Sequence, residues 1–300
     1  MTAAVIVTAG RTDRKSSFSP ERQLGKISAL ERIVALFQLA GISRIVVVGD
    51  EKELAQKLVA SMNVVFLTVA SDAEMLDSVK EGLRYLQGKC AQAFVAHVDI
   101  PLFTRQTLTS LLEGTAEVCI PTCGGRCGHP ILLRSSSFEA ICSYCGTNGL
   151  KGAIQALGLG RQLVQTQDAG ILAEGTQGTD YSDLLPSHDV AQLHAGFQIR
   201  ISREKVFYGP GPHHLLQLTD EFGSLSNACQ HMGMSYTKGR RIISTMEEEL
   251  GFPVLETQQG GKTGGSSRLT QSALSLMARY RDFEAEAAQM LEELFQKYFS

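Results

Sequence analysis

The stretch from Ser224 to Thr270 restricts the fold more than any other part of the chain. Ser226 can cap a short helix that buries Ala228, Cys229 and Met232. Gly233 follows, where a left-handed turn costs little. Ser235 then caps a second helix whose apolar residues, Ile242, Ile243, Met246 and Leu250, recur at helical spacing. Lys238, Arg240 and Arg241 fall near the start of that helix and off its apolar stripe, and Gly251 stops it. A strand over Val254–Thr257, a Gly-rich tip carrying Lys262, and a return through Arg268-Leu269-Thr270 make a hairpin. Helix, Gly turn, helix with a basic front end and then a hairpin is the order of a winged helix-turn-helix. Helix pairs with a Gly turn also occur in small domains that never touch nucleic acid. The basic helix followed by a Lys-bearing wing favours DNA. Ser235, Tyr236, Lys238, Arg240, Arg241, Lys262 and Arg268 are the candidate contacts.

After the wing, Thr270 caps a helix that runs to about Tyr298. Leu274, Met277, Tyr280, Phe283, Ala287, Met290, Leu291, Leu294 and Phe295 line it. So long a stripe exceeds what one small domain can cover, so it predicts a homodimer. The acids Glu247 to Glu249 read as a solvated face, and His213 and His214 as solvent-facing residues at a helix start.

The first half alternates strand and helix. Strands are expected over Ala3–Thr8, Ile45–Val48, Val64–Thr68, Ala93–Val98 and Val118–Pro121. Helices are expected over Ser28–Leu39, with a Ser28/Glu31 capping box, and over 51–62, Met75–Leu86 and Thr104–Glu113. This is an α/β pattern, a doubly wound, Rossmann-like, mostly parallel sheet whose ligand lies at the carboxyl ends of the strands. Two such ends carry chemistry. Ala9-Gly10, with Arg11, Arg14 and Lys15 beyond, can hold phosphates on backbone N–H groups and cations. Asp99, before Pro101, can hold Mg²⁺ against phosphate oxygens, or can cap the Pro101–Thr104 turn. The expected division is a first domain over 1–186, a linker over 187–198 and a second domain over 199–300.

Both halves resemble known families. Ser-Leu-Ser-Asn-Ala-Cys, Leu-Glu-Thr-Gln-Gln-Gly-Gly-Lys-Thr-Gly-Gly-Ser-Ser and Arg-Leu-Thr, all in the last hundred or so residues, resemble the DNA-binding domain of ModE-type molybdate-responsive regulators. Val-Thr-Ala-Gly at 7–10, Arg14, the run from Leu24 to Val34, Val98 to Leu102, Gly128-His129-Pro130 and Asp180-Tyr181 resemble the MobA-like NTP transferases. That second resemblance implies a nucleotidyltransferase-like fold that binds CTP or GTP and passes the nucleotide to molybdopterin. It implies phosphate contacts from Gly10, Arg14 and Lys26, with Lys26 and Asp99 as catalytic residues. It further implies base contacts from the helix holding Ser78, a substrate loop at Gly128 and His129, and Mg²⁺ on Asp99. Where the family carries an Asp-x-Asp segment, this chain has Glu174-Gly175-Thr176, so Glu174 alone keeps a charge and Mg²⁺ should bind weakly. Two readings follow: a DNA-binding regulator whose first domain senses a nucleotide or pterin, or a working transferase that also binds DNA.

Composition narrows the setting. A net charge of -3 requires any DNA contact to come from a local basic face. No apolar run reaches membrane-span length, and no signal peptide is visible, so the cytoplasm is expected. The 7 cysteines, an odd number, do not suit a disulfide scaffold. Cys123, Cys127, Cys142 and Cys145 have spacings that suit Zn²⁺ or buried thiols, while Cys90, Cys119 and Cys229 read as packing residues.

Overall fold

The computed structural model describes residues 1–8, 20–49, 62, 64–70, 72–175, 181–191, 195–258 and 266–299. The expected helix over 51–62 lies almost wholly outside the described residues, as do Ala9, Gly10, Arg11, Arg14, Lys15, Thr176 and Lys262. The chain divides into two compact units, Met1–Leu193 and His194–Ser300.

In the first unit, β1 (Thr2–Val7) is buried along nearly its whole length. A strand with no polar face must be covered on both sides, and that makes it central. The hairpin β2 (Gln23–Leu24) and β3 (Ile27–Ser28) leads into α1 (Ala29–Leu39), where Ser28 and Glu31 form the expected capping box. Then come β4 (Arg44–Gly49), β5 (Val65–Thr68), α2 (Met75–Leu86) and β6 (Gln92–His97). They are followed by α3 (Arg105–Leu112), β7 (Val118–Cys123), β8 (Arg126–Cys127) and β9 (Ile131–Arg134). The unit closes with α4 (Phe138–Ser143), α5 (Gly149–Ala156), β10 (Arg161–Gln165) and α6 (Leu185–Ala191). The sheet order is β10-β7-β9-β6-β1-β4-β5, with β8 added on β7. All neighbours on this path pair in parallel except β9, which runs antiparallel to both β6 and β7.

The chain moves outward from β1 to β5 and then returns to β1's other side at β6. Val7 pairs with His97 there. The carboxyl ends of β1 and β6 therefore form the crevice where such sheets bind ligands. Gly82 brings α2 down onto β1: a Cβ at that position would lie 2.5 Å from Val5 Cγ1.

One boundary is corrected. The expected linker over 187–198 begins inside α6, which belongs to the first unit. His188 is buried, and its Nε2 bonds the Phe103 carbonyl at 3.0 Å. Arg32 Nη1 donates to Asp189 Oδ1 at 2.6 Å, and Nη2 donates to the Leu24 carbonyl at 2.7 Å. A helix held by a buried arginine and histidine shows no apolar period, so it reads as a linker.

The second unit contains β11 (Ile201–Ser202), β12 (Val206–Tyr208), α7 (Pro210–Phe222), α8 (Leu225–His231) and α9 (Tyr236–Leu250). The antiparallel hairpin β13 (Leu255–Gln258) and β14 (Ser266–Leu269) and the long α10 (Gln271–Phe299) complete it. Ser224, not Ser226, caps α8, because burying Leu225 pulls the helix start two residues forward. His213 and His214 are buried, contrary to expectation. His213 Nδ1 lies 2.9 Å from the Tyr208 hydroxyl, and its ring packs on Tyr280, which donates to the Ile199 carbonyl at 2.9 Å. Glu247 is not merely solvated: its Oε1 accepts from Val254 N at 2.9 Å and Leu255 N at 3.3 Å, tying the hairpin to the end of α9.

Gly239 sets the spacing of α8 and α9. A Cβ there would stand 2.2 Å from Cys229 Sγ. Gly239→Ala gains about 1 kcal/mol of helix propensity but overpacks at about 1–3 kcal/mol. The expected net loss in thermal unfolding should reverse when Cys229→Ala is added, because the propensity gain then stands alone.

Candidate nucleotide site and candidate nucleic-acid face

At the carboxyl end of β6 a cavity of about 210 Å³ is lined by His97, Asp99, Arg126, Gly128, His129 and Glu174, among others. His97 and Asp99 point to the same side because they are two apart at the end of a strand. His97 Nδ1 bonds Asp99 Oδ1. The alternative role of Asp99, capping the turn before Thr104, is taken instead by Asp168. Its Oδ2 accepts from Thr104 N at 2.7 Å, Thr104 Oγ1 at 3.0 Å and Thr107 Oγ1 at 2.6 Å. Its Oδ1 accepts from Gly170 N at 2.9 Å. This anchor presents the following segment to the site. Gly175 N donates to the Asp99 carbonyl at 2.6 Å, which carries Glu174 to the cavity wall. The Tyr181 hydroxyl donates to the same carbonyl at 3.3 Å. Burial pushes the Tyr181 phenol up to about 12, with Arg22 opposing and Asp99 and Glu174 adding to the shift. The Arg22 guanidinium lies 5.3 Å from the centroid of that ring.

Gly128 approaches the segment from the other side. A Cβ there would lie 2.3 Å from the Ile171 carbonyl oxygen, so only glycine lets the two backbones meet. His129 follows, before a cis peptide bond to Pro130. Burial, aided by neighbouring His97, holds the His129 imidazole below its ordinary value. A second, more apolar cavity of about 340 Å³ lies beside the first and shares Met75, His97 and His129 with it.

The structure thus brings Asp99, Glu174, Gly128 and His129 to one cavity. It does not bring Lys26 or Ser78 there: neither lines either cavity. Lys26 is exposed in the turn between β2 and β3, and Ser78 is fully buried in α2. Two carboxylates suit a Mg²⁺ ion whose remaining ligands are phosphate oxygens and water. Among the described residues no group of three His, Cys, Asp or Glu side chains is placed to hold a metal. Cys123, Cys127, Cys142 and Cys145 are all free thiols outside any such group, and Cys142 Sγ instead contacts the Lys80 carbonyl.

In the second unit the front of α9 is polar and open. Ser235 accepts from Lys238 N at 3.3 Å as the helix cap. Ser235, Tyr236, Lys238, Arg240 and Arg241 are exposed, while Gly239, Ile243 and Met246 face inward. Arg268 is exposed on β14, paired across the hairpin with Glu256.

Residues 4–163 match the model of the MobA-like NTP transferase domain. The chain belongs to that family. Among solved structures, a nucleotidyl transferase from Methanothermobacter thermautotroptrophicus shares the fold at a TM-score of 0.52. It is 18% identical over 64% of this chain and 97% of its own. A Mycobacterium sp. strain JC1 homologue of a Mycobacterium tuberculosis protein gives 0.51, at 18% identity over 64% of this chain and 98% of its own. The C-terminal region is similar to molybdenum-related proteins. Molybdenum-pterin-binding protein MopB of Rhodobacter capsulatus is 35% identical over 77 residues, 26% of this chain and 28% of its own. Molybdenum transport protein ModE of Herbaspirillum seropedicae is 26% identical over 107 residues, 36% and 38% of the two chains. The chain thus spans well under half the length of these two relatives. It joins a MobA-like domain to a region similar to molybdenum-related proteins.

Within this MobA-like domain, sequence reasoning missed His97, Arg126 and Asp168. His97 had a legible signal, a histidine two residues before the strand-end acid. Asp168 had none for this role, because Thr104 and Thr107, which its Oδ2 holds, lie some sixty residues upstream in the chain. Among the described residues no helix is long and apolar enough to cross a membrane.

Proposed function

We propose that this chain is a cytoplasmic DNA-binding regulator of molybdenum cofactor metabolism whose MobA-like domain binds a nucleotide or pterin. The observation that carries the DNA reading is the front of α9. Its cations are exposed while the same helix buries Gly239, Ile243 and Met246, so the basic face is free to enter a groove. The hairpin beyond it, with Arg268 exposed, is in position to serve as a wing. In the first unit Asp99 and Glu174 would hold Mg²⁺, which neutralises phosphate charge when bound. Glu174 and Asp99 share the cavity wall, and Glu174-Gly175-Thr176, where the family carries Asp-x-Asp, favours binding over turnover.

The test for DNA uses the full chain and duplexes selected from a random pool, read by fluorescence anisotropy. Arg241→Ala and Lys238→Ala should each weaken binding, and affinity should fall steeply between about 50 and 200 mM salt. Binding that ignores salt would overturn the reading. Pyrophosphate release with molybdopterin, Mg²⁺ and CTP or GTP separates sensor from transferase: sustained turnover would make the first unit an enzyme.

The same reading includes a homodimer through α10. Ala273, Leu276 and Tyr280 pack within the unit, whereas Phe283, Met290 and Leu294 farther along stay exposed. Leu291→Asp, on this distal part, should convert a dimer to a monomer in light scattering, because a charge in an apolar seam is costly.

A further inference from the structure

Among the described residues lining the polar cavity at the carboxyl end of β6, Arg126 is the single Lys or Arg. It is exposed and, among the described residues, its side chain forms neither an ion pair nor a hydrogen bond. Other arginines of this unit spend their donors inside the fold. Arg32 holds Asp189 and the Leu24 carbonyl, and Arg134 holds Gln92 and the Gly114 carbonyl. The Arg126 guanidinium keeps its N–H donors for another partner. Its backbone is nevertheless fixed. Gly124 and Gly125 have positive φ, 57° and 78°, as a two-residue turn between β7 and β8 requires. Arg126 pairs with Cys123 directly after that turn. Farther along, Gly128 N donates to the Pro121 carbonyl at 2.9 Å and His129 N to the Ile171 carbonyl at 3.0 Å. An unpaired guanidinium on a strand held at both ends, bordering a cavity, is placed for a ligand and not for stability.

We infer that Arg126 is a phosphate clamp: its planar fork takes two non-bridging oxygens of the phosphate chain of a nucleotide bound in the first unit. Asp99 and Glu174 line the same cavity, so an anion entering it meets two like charges. A carboxylate has only two oxygens, and a bidentate fork would use both, leaving none for a cation held by Asp99 and Glu174. A diphosphate or triphosphate chain has oxygens enough for the fork and the cation together. This rests on the proposed nucleotide binding of the first unit. It assigns to Arg126 the part of the affinity that depends on the phosphates and not on the base.

The test is calorimetry on the full chain, in Mg²⁺, with GTP, guanosine, CTP, cytidine, inorganic pyrophosphate and the dicarboxylate malonate. Pyrophosphate and at least one triphosphate should bind the wild type, and malonate should not. Arg126→Ala should weaken the triphosphate and pyrophosphate roughly tenfold to a hundredfold, the range for hydrogen bonds to a charged group. Whatever affinity guanosine and cytidine have should stay unchanged. Arg126→Lys keeps the charge but loses the fork, so it should recover only part of the loss. Neither variant should move the melting temperature of the unligated protein, because the side chain gives up no partner among the described residues. Unchanged triphosphate affinity in Arg126→Ala, an equal loss for the nucleosides, full recovery by lysine, or malonate binding like pyrophosphate overturns the clamp and leaves nucleotide binding intact. No binding by any of the six overturns nucleotide binding as well.

Discussion

Replacing Asp168 by Ala should destabilise the first unit by about 3 kcal/mol, the upper value for hydrogen bonds to a charged group, because this half-buried carboxylate gathers several donors. The carboxylate accepts four hydrogen bonds, from Thr104 N, Thr104 Oγ1, Thr107 Oγ1 and Gly170 N. A hydrogen bond to a charged group is worth about 1.5–3 kcal/mol, and bonds sharing one acceptor group do not add in full. Two consequences are separable. Thr104, the cap of α3, loses the carboxylate that holds it, which global unfolding in urea reports as a lower midpoint. The segment through Ile171, Leu172 and Glu174 also loses its anchor, which moves a cavity wall. Nucleotide or pterin affinity should therefore fall further than stability alone requires while the protein is still folded. Asp168→Asn should sit between, keeping the acceptor oxygen but not the charge. A variant within 1 kcal/mol of wild type would show that the anchor is redundant.

Acidification should weaken the second unit through His213. Burial, with smaller contributions from His214 and Arg281, lowers the His213 imidazole to about 4, against an ordinary 6.5. The unfolded chain thus binds a proton that the folded chain refuses between those two values. The stabilising contribution is full above pH 6.5 and is lost as pH falls toward 4. A shift of that size corresponds to at most about 3 kcal/mol, at about 1.4 kcal/mol for each pH unit. The structural cause is plain: the ring is enclosed by Tyr208 and Tyr280, with Nδ1 at the Tyr208 hydroxyl. Glu284 works the other way. Its carboxyl is raised by burial, so the folded state gains from protonating it, and the net loss is somewhat smaller. Chemical denaturation of a 195–300 fragment, confirmed as folded by circular dichroism, at pH 7 and pH 4.5 measures the slope. His213→Phe should flatten the slope whatever it does to stability at neutral pH. An unchanged slope would assign the acid sensitivity to other groups.

Much of the architecture was legible because local rules carried it. Ser28 with Glu31, Ser235, Thr104 and Thr270 are caps whose bonds span three residues, so their sites can be read without the fold. The central strands announced themselves as apolar runs with no polar face. The strand-end position of Asp99 followed from the same pattern, and with it the crevice. The amphipathic α9 separated its basic residues from its buried ones in sequence alone, since a helix maps spacing directly onto faces. Other features depended on residues far apart in the chain. His188, His213 and Glu247 sit in polar surroundings in sequence, yet the fold encloses His188 and His213 and gives each of the three a bonding partner. Leu225 moved a helix cap because its burial, and not the preference of Ser226, set the boundary. Local composition determined which segments are strands, helices and turns. Only the tertiary structure decided which polar groups are buried, because that depends on what the fold lays over them. It alone brought Glu174 to the cavity of His97 and Asp99, and left two histidine nitrogens buried without a hydrogen-bond partner among the described residues.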